Sequence, residues 1–306
     1  MQVAIAGSHG LVGTALVAEL GRRGHGVRRL VRGAPARAGD VRWDPDAGRL
    51  DPRDLDGVDA VVNLAGAGVG DHRLTPRYKQ VVLSSRTRTT ALLARTIAGL
   101  ATPPAVLLQA SGIGVYGTRA GLGDAILDET SRIGDTFFAG VASAWEASAA
   151  PAADAGIRVA YLRSGIVLAP SGGALGRLLP LVRAGIGGPL GSGRQYWTWI
   201  SLVDEVAAIV HLLEAPVSGP VNLAAPHPAT NRELTRALAQ ALRRPAIVRA
   251  PAFAVRMLIG EFSQEILGSV RALPNVLTAS GFSWTHPDVP DVAAWVTARP
   301  APRPPL

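Results

Sequence analysis

The 306-residue sequence contains no cysteine, which excludes disulfides, thiolate metal sites and a cysteine nucleophile. It contains one lysine, Lys79, so chemistry that needs an ammonium group has a single side chain to draw on. The six histidines occur in neither HxxxH nor HExxH spacing and no GxSxG is present, so no metal site and no hydrolase elbow is expected. No apolar run reaches the roughly 18 residues of a membrane span, and no charged segment leads into an apolar one as in a secretory signal. The expectation is a cytoplasmic protein without a membrane partner.

Acidic residues are the minority charge: 31 Lys and Arg against 23 Asp and Glu give a net +8. The arginines are scattered, without dense clusters or interleaved aromatics, and read as compositional bias alongside abundant Ala, Gly and Pro. No nucleic-acid partner is expected. Attraction to anionic ligands fits the charge. A hydrophobic fraction of 48% is ample for a core.

What is present is concentrated in the first thirty-two residues. An apolar run, Gln2-Val3-Ala4-Ile5-Ala6, leads into Gly7-Ser8-His9-Gly10-Leu11-Val12-Gly13. Leu11, Val12, Leu16, Val17 and Leu20 then recur at helical spacing, and residues 27–31 read as a second strand. Strand, glycine turn, helix, strand is the unit that lays a pyrophosphate across a helix N-terminus. Gly7 permits the turn, Gly10 opens the backbone to a phosphate and Gly13 lets the helix pack closely. Ser8, Leu11 and Val12 share that turn. The second strand ends Val31-Arg32 with no acid to hold a ribose 2′-hydroxyl. Arg32 can pair with a 2′-phosphate, which favours NADP(H) over NAD(H).

Further strands are expected at 41–44, 59–66, 105–110, 157–163, 197–201 and 219–224. Helices are expected at 78–99, 137–155, 175–184, 202–214 and from Thr230, where Thr230 and Glu233 have capping-box spacing. The alternation predicts an α/β fold, a doubly wound parallel Rossmann sheet with a smaller C-terminal substrate lobe. The expected organisation is a nucleotide-binding domain over 1–165, an interleaved lobe over 166–250, a small domain over 251–299 with two helical stretches, and a disordered tail over 300–306. The helices at 78–99 and 137–155 show no decisive exposed apolar stripe, so monomer and homodimer both stay open.

GSHGLVG at 7–13, NLAG at 63–66, SGIGVYG at 111–117, LRSGIVLAP at 162–170 and WISLVDEV at 199–206 make the chain resemble an extended short-chain dehydrogenase/reductase. Ser85-Arg86, Trp145-Glu146, the 187–195 stretch GGPLGSGRQ, Ala225-Pro226 with Thr230-Asn231, and Leu258-Ile259-Gly260-Glu261 narrow this to the atypical epimerase-family-protein subfamily, which carries its own small C-terminal domain. The resemblance implies NADP, with NADPH preferred over NADH, held by Gly7, Ser8, Gly10, Leu11, Val12, Gly13, Arg32, Leu64, Ala65, Gly66, Arg86, Ser111 and Ile166. It implies a small-molecule substrate met by Arg194, Gln195 and Trp197.

Related enzymes pass a proton through the tyrosine of YxxxK. Aligned on Glu146, those two places fall on Phe138 and Ala142, so the usual pair is absent. Lys79 reads either as a desolvated general acid or base or as a surface lysine. Tyr116 reads either as a proton donor at a strand end or as a packing tyrosine. Glu146 reads as the partner of an arginine. An oxidoreductase or epimerase-like enzyme leads. The alternative is a non-catalytic NADP(H) sensor or protein-interaction module, in keeping with relatives described as cell-division inhibitors.

Overall fold

The computed structural model describes residues 1–118 and 125–298; the expected tail at 300–306 and residues 119–124 lie outside the described residues. Seven strands form the central sheet: β1 (Gln2–Ala6), β2 (Gly26–Val31), β3 (Asp40–Arg42), β4 (Ala60–Asn63), β5 (Val106–Gly112), β6 (Arg158–Ser164) and β7 (Gly219–Leu223). Their order is β7-β6-β5-β4-β1-β2-β3, and every pairing is parallel. Helix α1 (Leu11–Arg22) follows β1, α2 (Pro76–Ala98) follows β4, and α3 (Phe137–Ala147) and α4 (Ala150–Asp154) follow β5. Helices α5 (Gly173–Arg183) and α6 (Leu202–Glu214) separate β6 from β7.

Both faces of the central strands are covered, so most of β1 and of β4 is apolar on both faces rather than alternating with polar residues. In β1, Val3 and Ile5 pack with Leu16 and Leu20 of α1 and Ile209 and Leu213 of α6. Ala4 and Ala6 face the opposite layer, with Leu92, Leu93 and Ile97 of α2. The strand order reverses between β4 and β1, and the gap between their carboxyl ends is the crevice where ligands of such sheets lie.

The expected helix over 137–155 is two helices. Pro151 lacks the N–H that would continue α3 and instead occupies the first turn of α4, where no such donor is needed.

After β7 come α7 (Asn231–Ala241), α8 (Ala252–Ile259), α9 (Ser263–Leu267), α10 (Asn275–Ala279) and α11 (Val289–Thr297). Among the described residues beyond 250, the four α-helices α8 to α11 stand where two helical stretches were expected, and α9 and α10 are too short to show a period. Thr230 and Glu233 form the expected capping box at α7. The C-terminal segment shares cores with the rest of the chain. Leu277 joins the cluster of β1 and α6. Val292, Ala293 and Val296 pack with Leu175, Leu179, Leu234 and Leu238. Val270 and Ala272 pack with Val115 and Tyr116.

Candidate nucleotide and substrate site

The β1–α1 turn has the geometry of an anion cradle. Gly7 adopts φ +82°, and a side chain there would lie 2.6 Å from the Leu64 backbone, which binds this turn tightly to the exit of β4. A side chain at Gly13 would lie 2.2 Å from the Gly7 carbonyl. At Gly10 it would meet only that carbonyl, at 3.4 Å, which leaves the crevice side open. Gly10 caps α1 without a side-chain hydrogen bond, so the first N–H groups of the helix stay available. Ser8 is buried, and its Oγ has no hydrogen-bond partner among the described residues. A phosphate at the helix terminus would satisfy that orphan and the helix dipole together. Leu11 leans from the first turn of α1 onto Gly172 and Gly173 at the start of α5.

On the β2–β3 side lies a cavity of about 670 Å³, lined by Gly7, Arg32, Arg37, Trp43, Ala65 and Gly66 among others. Its one acid, Asp40, is taken by Arg29, whose Nε donates to it at 2.7 Å. Arg32 is 55% exposed and only 3.9 Å from Asp46, which is itself exposed, a pairing too weak to hold it. Arg37 lines the same cavity and has no ion pair among the described residues. Two arginines and no free carboxylate suit a 2′-phosphate and leave a 2′-hydroxyl without an acceptor. Arg37 escaped sequence reading because it sits in a loop with no motif around it.

Ser85 and Arg86 fasten the loop after β4. Ser85 Oγ accepts the Ala67 N–H at 3.1 Å, and Arg86 Nη1 donates to the Ala67 carbonyl at 3.0 Å. The Arg86 guanidinium lies 4.8 Å from the Trp145 ring. Burial pulls its pKa down to about 10, and it has no carboxylate partner among the described residues. A desolvated cation without a counter-ion is a binding group for an anion.

Beyond Arg86 a second cavity, about 320 Å³, opens at the carboxyl ends of β5 and β6. Ser111, Ile166 and Trp197, read from the sequence as ligand contacts, line it together with Phe138, Ala142, Phe262 and Glu265. Its walls are mostly apolar. Beneath it runs a buried network. Ser111 Oγ donates to Glu146 Oε1 at 2.6 Å, and Arg163 meets both Glu146 oxygens at 2.9 and 3.0 Å. Glu146 therefore has the arginine partner that was expected of it.

Other expected site residues fall elsewhere. Tyr116 is 1% exposed, its hydroxyl donates to Asn222 at 2.7 Å, and it lines neither cavity. Burial raises its pKa, so it is a packing tyrosine rather than a proton donor to the cleft. Lys79 also lines neither cavity; its ammonium is paired with Glu261 beside the Phe137 ring. Gln195 is buried and spends its amide on the carbonyls of Leu190 and Ile266 at 3.0 and 3.4 Å. Arg194 is exposed, away from both cavities. Trp197 combines both roles, one face in the cavity and its Nε1 donating to the Ile266 carbonyl at 3.0 Å.

Ser164, at the cavity edge, donates to Glu205 Oε1 at 2.6 Å, while Oε2 finds no partner among the described residues. Burial pushes the Glu205 pKa from 4.5 up to about 7. The folded protein thus keeps a proton that the unfolded chain loses near pH 4.5, and stability falls as pH rises from there to about 7. Urea unfolding at pH 5 and pH 8 should show the wild type losing about 2 kcal/mol more over that interval than Glu205→Gln, which cannot ionise.

Sheet order, glycine turn and paired cavities define a Rossmann-type protein of the extended short-chain dehydrogenase/reductase class. The profile of the NAD dependent epimerase/dehydratase family matches residues 3–224, and the chain belongs to that family. A domain of unknown function, DUF1731, matches residues 250–296. The chain is 43% identical over 302 residues to epimerase family protein Mb2239 of Mycobacterium bovis, covering 97% of this chain and 98% of that one. The crystal structure of human epimerase family protein SDR39U1 with NADPH superposes with a TM-score of 0.89 at 34% identity, over 97% and 99% of the two chains. A nucleoside-diphosphate sugar epimerase from Corynebacterium glutamicum gives 0.79 at 34% identity, over 96% of this chain and 57% of that one.

Proposed function

We propose that the chain binds NADP(H) along the crevice and performs redox chemistry on a small, mainly apolar carbonyl compound or alcohol. The observation that carries this reading is the apolar cavity beside Ser111 and Ile166, on the far side of Arg86 from the arginine-lined one. A protein that only sensed the nucleotide would have no use for it. When bound, the nicotinamide supplies or accepts a hydride. The glycine turn with Ser8 would hold the phosphates, Arg32 and Arg37 the 2′-phosphate, and Ser111 and Ile166 the wall of the cleft. The NADPH-bound human relative supports the choice of cofactor. The apolar walls give a sugar diphosphate few hydrogen-bond partners, which weighs against a substrate like that of the sugar epimerases.

Phe138 and Ala142 in the tyrosine and lysine places, with Lys79 committed to Glu261, favour a second reading, a nucleotide-binding protein without turnover. Fluorescence titration with NADPH and NADH, followed by NADPH oxidation against a panel of aromatic and alicyclic aldehydes and ketones, separates them. NADPH should bind more tightly than NADH. Arg32→Ala with Arg37→Ala should weaken NADPH about 10- to 100-fold, the loss of one or two charge-assisted contacts, and leave NADH unchanged. Binding without turnover of any panel member would favour the second reading; no binding of either nucleotide would end both.

A further inference from the structure

The cleft has a carboxyl group where the family's proton-passing tyrosine is missing. Glu265 lies on α9 and lines the apolar cavity with Phe138. A side chain at Gly114 would lie 3.5 Å from Phe138 Cβ and 3.6 Å from Glu265 Oε2, so position 138 and this carboxyl converge on one point of the wall. Phe262, three residues earlier, meets Phe138 edge-on at 6.1 Å between ring centres. We propose that Glu265 is the proton donor and acceptor of this cleft, in place of the tyrosine lost at Phe138.

Its position is fixed from behind. The carbonyl of the next residue, Ile266, accepts from both Trp197 Nε1 at 3.0 Å and Gln195 Nε2 at 3.4 Å. Gly268 N donates to Gln264 O at 2.8 Å and closes the turn that carries the carboxyl. The 195–197 stretch, expected to touch substrate, thus acts largely by holding α9 against the cleft. Glu265 has no hydrogen bond or ion pair among the described residues. The titratable groups that share its cavity are Arg86 of α2 and Tyr196. Burial pushes its pKa from 4.5 up to about 7, the range in which a carboxyl both gives and takes a proton.

The inference rests on the oxidoreductase reading. In the reductive direction the substrate's carbonyl carbon gains a hydride from the nicotinamide, the C=O π pair moves to oxygen, and the Glu265 O–H proton passes to that oxygen. An alcohol and a Glu265 carboxylate result, and solvent restores the proton. Oxidation of an alcohol runs the same transfers in reverse.

Two readouts test it on the full chain. In protein labelled with [13Cδ]-glutamate, the NMR signal that disappears in Glu265→Gln should titrate near pH 7; a midpoint in the ordinary carboxylate range would overturn the proposal. With 4-nitrobenzaldehyde as probe and NADPH oxidation as signal, Glu265→Gln should lower kcat about 100-fold, the usual weight of a general acid, with NADPH affinity kept within about twofold. Glu265→Asp should restore part of kcat. Equal turnover by wild type and Glu265→Gln would overturn the role of Glu265 alone. Absence of wild-type turnover across the whole carbonyl panel, with NADPH bound, would overturn the oxidoreductase reading and this inference with it.

Discussion

Glu146→Ala will lower stability by about 3–5 kcal/mol, the cost of leaving a buried charge without its partner. The Arg163 side chain is 6% exposed and that of Glu146 11%. With the carboxylate gone, the hydrogen-bond acceptors left to Arg163 among the described residues are the Tyr116 hydroxyl at 3.2 Å and the Glu129 carbonyl at 3.4 Å, both neutral, beside the Tyr116 ring at 5.3 Å. Ser111 loses its acceptor as well, so the wall of the cleft loosens together with the core. Calorimetry at pH 7 should show the midpoint falling by roughly 10 °C, at the few degrees per kcal/mol expected of larger domains. Replacing both partners, Glu146→Leu with Arg163→Met, should recover much of the loss, because no unpaired charge remains. A loss below about 1 kcal/mol for the single variant would mean that water reaches the pair, as in an exposed ion pair.

Gly13→Ala should weaken NADPH binding by at least about 100-fold, more than 2.7 kcal/mol. The added methyl would sit 2.2 Å from the Gly7 carbonyl and 2.9 Å from Ser8 Cα. Both contacts are with backbone, so no side chain can swing aside. Either α1 slides away from the turn or the turn itself moves, and in both cases the helix N–H groups and Ser8 lose their common focus. The fold should survive, since overpacking of this kind costs about 1–3 kcal/mol. Gly21→Ala on the same helix is the control. Nothing lies within 4 Å of its new methyl, so it should add up to about 1 kcal/mol of stability and leave NADPH affinity unchanged. Titration and urea unfolding of the two variants separate the effects.

The parts of this protein that are local in sequence were readable from it. The glycine turn between an apolar strand and an amphipathic helix stands where it was read, and Arg32, singled out by the missing acid at the end of β2, lines the cavity beside it. Pairing across the chain was readable only by half. That Glu146 needs an arginine follows from burying a carboxylate. That the arginine is Arg163 depends on β6 lying beside β5, with Arg163 in register with Ser111. Tyr116 stayed open between proton donor and packing tyrosine because a position at a strand end does not specify direction: residues Ile113–Tyr116 form a turn of 3-10 helix, and the ring ends in the core beside Val270 and Ala272. Glu265 left no signal, since a five-residue helix has no period and a lone carboxylate has no motif. Phe138 and Gly114, the positions it converges with in the cleft, lie more than a hundred residues earlier in the chain.

The way residues 270–296 are divided among three cores bears on how the chain acquires its structure. Leu277 completes a layer begun by Val3, and Val292 and Val296 close another around Leu175 and Leu234. Contacts between opposite ends of a chain carry a large closure entropy and form late. As the chain leaves the ribosome, α6 and β7 therefore wait with apolar surface uncovered until the C-terminal helices emerge. Between synthesis of β7 and of α11 the incomplete chain exposes this apolar surface, the condition that favours aggregation.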